Sequence, residues 1–170
     1  MASRLVWVLL GIIVAIASLG VGSYIYIRTG GMPMATSAPP LPFEKMIARL
    51  ALRASYGDAA KQQDPLQMDE ANLLAGARQY NEHCAVCHGT PHTPATAIAK
   101  GMFPPPPQLF EHTVADDPEG ITFWKVTNGI RMTGMPAFQK TLSDMERWQL
   151  TMLLVHADAL PAPVTATLSR

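Results

Sequence analysis

The short run Cys84-Ala85-Val86-Cys87-His88 constrains this chain more than any other feature of its sequence. Two thiols three positions apart can both bond to the vinyl groups of one porphyrin, and the histidine that follows can place an imidazole nitrogen on the iron. The pattern C-x-x-C-H is the attachment signal for a c-type haem. We therefore predict one covalently bound haem c, with Cys84 and Cys87 as thioether anchors and His88 as the proximal iron ligand.

The number of cysteines argues against other uses of this motif. The chain of 170 residues has two cysteines and both lie in the motif, so no thiol remains for a structural disulfide. A structural zinc site needs four nitrogen or sulfur ligands, and His83 beside Cys84 does not complete such a set. A thioredoxin-like redox pair would require alternating strands and helices, which the sequence does not show.

The second axial ligand decides whether the haem transfers electrons or binds small molecules. Met135 lies 47 residues after His88, in the run Thr133-Gly134-Met135-Pro136-Ala137-Phe138. A thioether on a loop restricted by glycine and proline can be held against iron, and His/Met ligation is usual for electron-carrying c-type haems. We predict Met135 as this ligand, with Met132 as the nearest rival and Met102 as a weaker one. The histidines outside the motif are expected at the surface or in the core: His83, His92, His112 and His156.

The C-x-x-C-H motif and the Met135 loop make residues 69–160 resemble the class I monohaem cytochromes c. That family crosses a first helix containing a glycine and an aromatic residue with a last helix carrying another aromatic. Gly76 and Tyr80 match the first helix, and Trp148 matches the last. Pro107 matches the proline of the family's Pro-x-Leu segment, and the resemblance implies that its carbonyl accepts a hydrogen bond from His88. Residues 89–107, which contain a run of four prolines, depart from the family pattern.

Trp124 has two interpretations. A large apolar side chain at helical spacing is usually part of the core. The resemblance offers a second role, because a tryptophan in some members of this family donates its indole N–H to a haem propionate. We include Trp124 among the candidate haem-binding residues, and Arg131 is a similar candidate that is otherwise expected to be exposed.

Local signals predict an all-α haem domain. Asp69 and Glu70 suit the start of a helix, and residues 71–82 are rich in helix formers, so the haem motif should follow the end of a first helix. The proline run 104–107 excludes helix and favours an extended segment. Alternating strand patterns are absent from the sequence.

Two further helices are predicted in the second half of the domain. The run Asp116-Asp117-Pro118-Glu119 supplies a cap, an early proline and an acidic first turn, and Gly129 stops the helix. Ser143-Asp144-Met145-Glu146 is a capping box that starts the last helix. The apolar residues expected to face the core from that helix are Met145, Trp148, Met152 and Val155.

An uncharged apolar run covers residues 5–27. Its 23 residues would form a helix of about 34 Å, against a hydrocarbon core of about 30 Å. A cleaved signal peptide is the alternative, because Ala15-Ile16-Ala17 resembles a cleavage site. The run continues well past this point, and Tyr24 and Tyr26 lie where an interfacial aromatic belt is expected, which favours a retained anchor.

Charge does not orient the predicted span, because Arg4 precedes it and Arg28 follows it. The resemblance implies an orientation, because haem is attached to such proteins on the outer side of the bacterial inner membrane. The haem domain is therefore expected in the periplasm and residues 1–28 are expected to comprise a cytoplasmic N-terminus and a single transmembrane helix.

Small residues line one face of this predicted span. Gly11, Ala15, Ser18 and Gly22 fall within about 60° of one another at 100° per residue. Such a face allows a transmembrane helix of a partner subunit, or of a second copy, to approach closely. Chance is the alternative, because glycine, alanine and serine are common in membrane spans.

Residues 29–68 are predicted to link the anchor to the haem domain, and residues 161–170 to form a C-terminal tail. The first part of the linker, 29–42, is rich in Gly, Pro, Ser and Ala. Residues 43–56 have the pattern of a short amphipathic helix, with apolar residues on one side and Lys45, Arg49 and Arg53 on another. This helix is expected either to pack on the haem domain, to screen a partner, or to lie on anionic headgroups.

Charge limits the range of partners. The chain has thirteen basic and thirteen acidic residues, and residues 69–170 carry seven basic and ten acidic ones, so nothing indicates nucleic-acid binding. The sequence as a whole predicts a membrane-anchored carrier of one electron, not itself an enzyme, that works with a redox partner protein or as a subunit of a membrane oxidoreductase. The alternative is a domain that binds or senses O2, NO, CO or peroxide, which would require an open or displaceable sixth ligand site.

Overall fold

The computed structural model describes residues 2–91, 93, 95–110 and 117–168. This part of the chain contains helices and no β-strand, which confirms the all-α prediction. The chain divides into two compact units, Met1–Pro42 and Phe43–Arg170. The helices are α1 (Ala2–Arg28), α2 (Glu44–Ser55), α3 (Glu70–His83), α4 (Ala85–His88), α5 (Ala97–Lys100), α6 (Glu119–Asn128), α7 (Asp144–Val155) and α8 (Ala162–Leu168).

The first unit is dominated by α1, which contains the predicted span. Within it, Ser3–Arg28 is long and apolar enough to cross a membrane. The helix ends at Arg28, where Thr29 N–H donates to the Ile25 carbonyl and Gly30 adopts a left-handed backbone conformation. A single helix of this length and composition is consistent with single-pass anchoring.

The core of the second unit is built where α3, α6, α7 and α8 meet. Helix α3 packs against α7 and α8, and α6 packs against α7. The most deeply buried apolar side chains come from three of these helices: Leu73, Ala77 and Tyr80 of α3, Leu150, Met152 and Leu153 of α7, and Val164 and Leu168 of α8. Burying these side chains removes a large apolar area from water, which is the main stabilising contribution to the domain.

The ends of α3 and α7 follow the sequence signals. The Asp69 carboxylate accepts a hydrogen bond from Asn72 N–H at 2.8 Å, so Asp69 caps α3. Ser143 and Glu146 form the predicted capping box at the start of α7. Helix α6 differs from the prediction, because Pro118 is its N-cap residue and provides no side-chain cap. Asp116, the first residue of the run predicted to start this helix, lies outside the described residues.

The helices that carry Gly76 and Trp148 cross as the resemblance implies, but these two residues do not meet at the crossing. Gly76 does lie where α3 crosses α7, but the nearest atoms belong to Gln149 and Leu153. The Trp148 ring stacks on Phe123 of α6 instead, with centroids 4.0 Å apart. Met145 is exposed, although the apolar pattern placed it in the core, because the buried part of α7 runs from Arg147 to Leu154 and includes polar residues.

The limits of the haem domain also differ from those expected. The compact unit begins at Phe43 and not at Asp69, because the chain before α3 packs on the domain through buried Ala59 and partly buried Leu66. Residues 161–170 were expected to be a tail. Residues up to Leu168 instead form α8, whose Val164 and Leu168 side chains are fully buried.

Candidate haem site

The haem-attachment motif follows directly from the end of α3. Cys84 N–H donates to the Tyr80 carbonyl at 2.8 Å, which carries the helical hydrogen-bonding pattern into the motif. Helix α4 then turns the chain, with His88 N–H donating to the Cys84 carbonyl at 2.9 Å. Both cysteines are free and half-buried. One short helical turn therefore presents two thiols and an imidazole, as covalent haem attachment requires.

The environment of Cys84 fits a thioether anchor better than a metal ligand. Burial raises the pKa of the Cys84 thiol to about 12, and the neighbouring Cys87 contributes a smaller increase. Zinc is bound by the thiolate form, which this environment disfavours. Within the ranges that the structure describes, no three His, Cys, Asp or Glu side chains come together as a metal site.

The His88 ring is oriented by the backbone at Pro107. Nδ1 of His88 lies 2.8 Å from the Pro107 carbonyl oxygen, the hydrogen bond that the resemblance implies. A carbonyl can only accept, so His88 Nδ1–H donates and the Nε2 lone pair remains available to a metal. Burial lowers the pKa of His88, opposed by this hydrogen bond, and so favours the neutral imidazole that binds iron.

The loop after α4 is held by close backbone contacts. Gly89 has φ +69°, a left-handed conformation that favours glycine, and its carbonyl accepts a hydrogen bond from the buried Tyr80 hydroxyl at 2.7 Å. A Cβ atom at Gly89 would overlap the Gln108 side chain. These contacts connect α3, the motif and the Pro107 segment, so the position of His88 depends on the packing of the whole domain.

Met135 lies in a tight loop anchored to the end of α6. Ile130 N–H donates to the Met135 carbonyl at 3.2 Å, and Met135 N–H donates to the Thr133 hydroxyl at 3.1 Å. Gly129 packs against this loop, since a Cβ atom there would lie 2.6 Å from the Pro136 carbonyl carbon and 2.8 Å from the Met135 carbonyl oxygen. The sequence identified Gly129 only as a helix stop, because a close backbone approach leaves no signal in a single sequence.

The two rival methionines have distinct surroundings. Met132 has φ +62° and a side chain that is 84% exposed. This exposure weakens its case as a ligand. Met102 is half-buried, and its methyl group packs on Gly134, immediately before Met135 in the chain. Met102 therefore borders the Met135 loop, and Met135 itself is half-buried.

The remaining predicted residues have varied positions. The Trp124 ring is half-buried and contacts the Tyr56 ring edge to face, with centroids 5.3 Å apart. Arg131 is exposed. His83 packs near Phe138, with ring centroids 5.9 Å apart. The other non-motif histidine of the described residues is His156, while His92 and His112, like Pro94, lie outside them.

A comparison with protein families gives the class of this domain. Residues 71–152 match the family described as cytochrome c oxidase, cbb3-type, subunit III. This chain carries a c-type cytochrome domain. The domain binds haem c covalently through its C-x-x-C-H motif and supports haem-based electron transfer.

One solved structure with similarity to the cytochrome is a chain of the reducing HAO-like protein complex of Kuenenia stuttgartiensis. The two are 30% identical, with a TM-score of 0.45. The similarity covers 55% of the cytochrome and 46% of the Kuenenia chain, so it spans about half the length of that relative. No curated protein matches the cytochrome.

Proposed function

We propose that this cytochrome carries single electrons through a haem iron held between His88 and Met135, at or within a membrane oxidoreductase. The observation that carries the proposal is the hydrogen bond from His88 Nδ1–H to the Pro107 carbonyl, directly after two free thiols. It holds the imidazole neutral and oriented, with Nε2 available to iron. When bound, haem supplies reversible exchange between ferrous and ferric iron.

Each protein group has a separate role in this proposal. The Pro107 carbonyl raises the basicity of His88 through the shared proton. Met135 offers a soft thioether, which favours ferrous iron, so we expect a relatively high reduction potential for a haem protein. The cytochrome itself would bind no substrate, because two protein ligands complete the coordination of the iron.

Trp124 is proposed to donate its indole N–H to a haem propionate. The indole nitrogen makes no hydrogen bond to any residue of the described ranges, although the ring is fixed by Tyr56 and the neighbouring Asn128 amide donates to the Trp124 carbonyl at 2.9 Å. A positioned donor that has no acceptor among the described residues suits an acidic group of the cofactor.

Carbon monoxide tests the closed coordination. The membrane-bound, dithionite-reduced cytochrome should show no change in its visible spectrum under carbon monoxide, because Met135 would hold the iron site closed to an added ligand. A full carbon monoxide difference spectrum at neutral pH would contradict electron carriage through a His/Met haem and support the small-molecule-binding alternative.

The membrane arrangement is part of the same proposal. The apolar helix Ser3–Arg28 would anchor the cytochrome in the bacterial inner membrane, with the haem domain in the periplasm. The matched family is described as a subunit of an oxidase, which supports a fixed place in a membrane complex over free diffusion. Protease added outside spheroplasts should remove the haem domain and spare the anchor if this orientation is right.

The small-residue face of α1 is proposed to contact a partner helix. Gly11 and Gly22 have open space where a Cβ would lie, so this face is accessible to another helix. Replacing Gly11, Ala15, Ser18 and Gly22 with leucine should abolish co-purification of partner subunits from native membranes, while haem content stays normal. Ile12→Leu with Ile16→Leu is the control on another face and should preserve the assembly. Unchanged co-purification after the four substitutions would show that α1 only anchors the chain.

A further inference from the structure

Helix α2 presents an apolar face to solvent. Phe43 and Leu50 are 71% and 68% exposed, and Met46 and Ile47 are also exposed, while no residue of the helix is buried. Large apolar side chains usually occur singly on a protein surface, and a contiguous group marks a surface that contacts another apolar phase. The four residues Phe43, Met46, Ile47 and Leu50 are called the α2 face below.

The α2 face points away from the haem domain. At 100° per residue Met46, Ile47 and Leu50 lie on one side of α2, and Leu52, its one half-buried apolar side chain, lies on the opposite side. Phe43 immediately precedes the helix as its N-cap residue. Arg49 and Arg53 lie along one flank of the α2 face, and Lys45 lies further round on that flank, about 20° from Leu52. The helix is thus divided into a side toward the domain, an apolar side toward the exterior, and a basic border between them.

The segment after α2 is fastened to the domain. The Tyr56 ring contacts Trp124, and Ala59 is buried with its carbonyl against Gly120 of α6. A little further on, Asp64 N–H donates to the Glu119 carboxylate at 2.9 Å. Because these contacts tie the chain to α6 on both sides of Ala59, α2 projects from a fixed base.

The start of α2 is poorly suited to a helix in water. Phe43 is the N-cap residue with φ +64°, and its side chain makes no capping hydrogen bond. A bulky residue in this backbone region is uncommon, and serine, threonine, asparagine or aspartate would cap the helix better. An exposed aromatic ring at this position is explained if it serves contact with another phase and not local stability.

We propose that α2 lies in the headgroup layer of an anionic bilayer, with the α2 face toward the acyl chains and the three basic side chains at lipid phosphates. The inference rests on the proposed membrane anchor. Residues 29–42, which join Arg28 to Phe43, span at most about 50 Å when fully extended, so a bilayer holding the anchor lies within reach of α2. Insertion of α2 would set the orientation of the haem domain above the membrane.

The distribution of charge favours anionic lipid, and not a second copy or a partner protein, as the occupant of the α2 face. Helix α2 carries three basic residues and one acidic residue, whereas residues 69–170 carry seven basic and ten acidic. Positive charge is therefore concentrated beside the apolar face, as in helices that lie on anionic membranes. Long lysine and arginine side chains can cover the apolar border with their stems while their charged ends reach the phosphates.

Spin labels can test the depth of α2 in the intact holoprotein. Haem attachment consumes both native thiols, so Leu50→Cys or Ala48→Cys adds the only free thiol to a full chain in nanodiscs containing anionic phosphatidylglycerol. Leu50 belongs to the α2 face and Ala48 is exposed on the other side of the helix. We expect the ratio of oxygen to nickel-complex collision rates to be several-fold higher for the label at position 50. Equal ratios at both positions would overturn the proposal.

Two further tests change the charge of the lipid and of the helix, and ask whether another protein covers the α2 face. Substituting Lys45→Gln, Arg49→Gln and Arg53→Gln together should return the label at position 50 to water in anionic nanodiscs, and pure phosphatidylcholine should do the same to the unsubstituted helix. Protection that persists in phosphatidylcholine and in detergent would reveal a second copy or a partner protein on this face, which contradicts the proposal.

A label in the span separates this inference from the anchor on which it rests. Val14→Cys should be lipid-accessible in every nanodisc if α1 crosses the membrane. If the label at position 14 is in lipid and the label at position 50 is in water, the proposed role of α2 is rejected and the anchor is retained. A water-exposed label at 14 would reject the anchor, and water exposure at position 50 in the same sample would reject both.

Discussion

The hydrogen bond between His88 and Pro107 shows how a single residue can determine the chemistry of this site. The 2.8 Å contact fixes which ring nitrogen carries the proton, and burial lowers the pKa of the imidazole. Sequence could predict this contact because the Pro-x-Leu segment identified Pro107. It could not separate the methionines equally well, because the surroundings of Met132 depend on a left-handed backbone that no local pattern encodes.

Replacing Met135 tests the proposed distal ligand. Met135→Ala should abolish the weak sulfur-to-iron absorption band of the ferric protein and lower the reduction potential, because a soft ligand to ferrous iron is lost. Visible spectroscopy with a redox titration measures both. Met132→Ala, at an exposed position in the same loop, should leave the band unchanged. Met102→Ala serves as a second control, and loss of the band there but not at Met135 would reverse the assignment.

Asp64 should make the stability of the domain depend on pH. Burial raises the pKa of this carboxyl and nearby Glu119 adds to the rise, while Leu66 N–H and His156 oppose it. Among the described residues, its buried Oδ2 atom has no hydrogen-bond partner. A raised folded-state pKa contributes stability that is complete below the unfolded value near 3.8 and is lost as pH rises through the folded value.

Asp64→Asn should therefore remove part of this pH dependence. Its side-chain oxygen can still accept the 2.8 Å hydrogen bond from Leu66 N–H, but it carries no charge. We expect the melting temperature to fall less as pH rises from the unfolded value near 3.8 to neutrality than in the unsubstituted protein. Asp158→Asn, at an exposed position, is the matched control and should retain the original slope. A slope unchanged by Asp64→Asn would show that the buried carboxyl does not govern this range.

Elements position the ligands through close backbone contacts. Helix α6 ends at Asn128, and Gly129 is its C-cap residue. The loop that carries Met135 returns to pack on that glycine and on the last turn of α6, where Phe138 N–H donates to the Val126 carbonyl at 3.1 Å. The helix stop was visible in the sequence. Its second role was not, because the contact joins residues whose closeness arises only after the loop has folded.

Gly129→Ala should disturb the Met135 loop. An L-residue at φ +65° costs about 1–2 kcal/mol, and its Cβ would crowd the Pro136 and Met135 backbone. We expect a partial loss of the sulfur-to-iron band and faster binding of added imidazole or cyanide. Gly134→Ala is the matched control, because its Cβ would meet only the flexible end of Met102. Equal spectra for the two variants would show that the loop does not depend on this contact.

The crossing of α3 and α7 gives a stability prediction. Gly76→Ala would place a Cβ against the Gln149 backbone, 2.8 Å from its carbonyl carbon and 3.2 Å from Leu153 Cβ. Because the backbone must move, we expect the free energy of unfolding to fall by about 1–3 kcal/mol. Denaturant unfolding of the holoprotein measures this change. Gly101→Ala, whose nearest contacts would be 3.6 Å or longer, should change stability little. Equal stability of the Gly76 variant and the original would place the tight contact elsewhere.

At the scale of the whole molecule, the sequence separated an apolar segment that could span a membrane from the haem domain, but it placed the ends of the compact domain differently from the structure. The anchor and the linker differ strongly in residue type, which is why residues 5–27 and 29–42 could be separated by composition alone. The sequence did not predict that the segments before α3 and after α7 pack on the haem domain, and the reason is physical. Short segments such as Gly57–Lys61 and α8 have little periodicity, and they are ordered by tertiary contacts that a local pattern does not reveal.

The C-terminal helix should therefore behave as part of the core. Leu168 and Val164 are fully buried, and the Asn81 amide of α3 donates to the Thr167 carbonyl at 2.7 Å, so α8 closes the face of α3 beside the haem motif. Leu168→Ala should lower the free energy of unfolding by about 2–5 kcal/mol. This change would appear as a lower denaturant midpoint of the holoprotein. Ala166→Ser, at an exposed position on the same helix, should be nearly neutral. If both variants unfold together with the original, α8 is only a tail, and the core ends at Leu160.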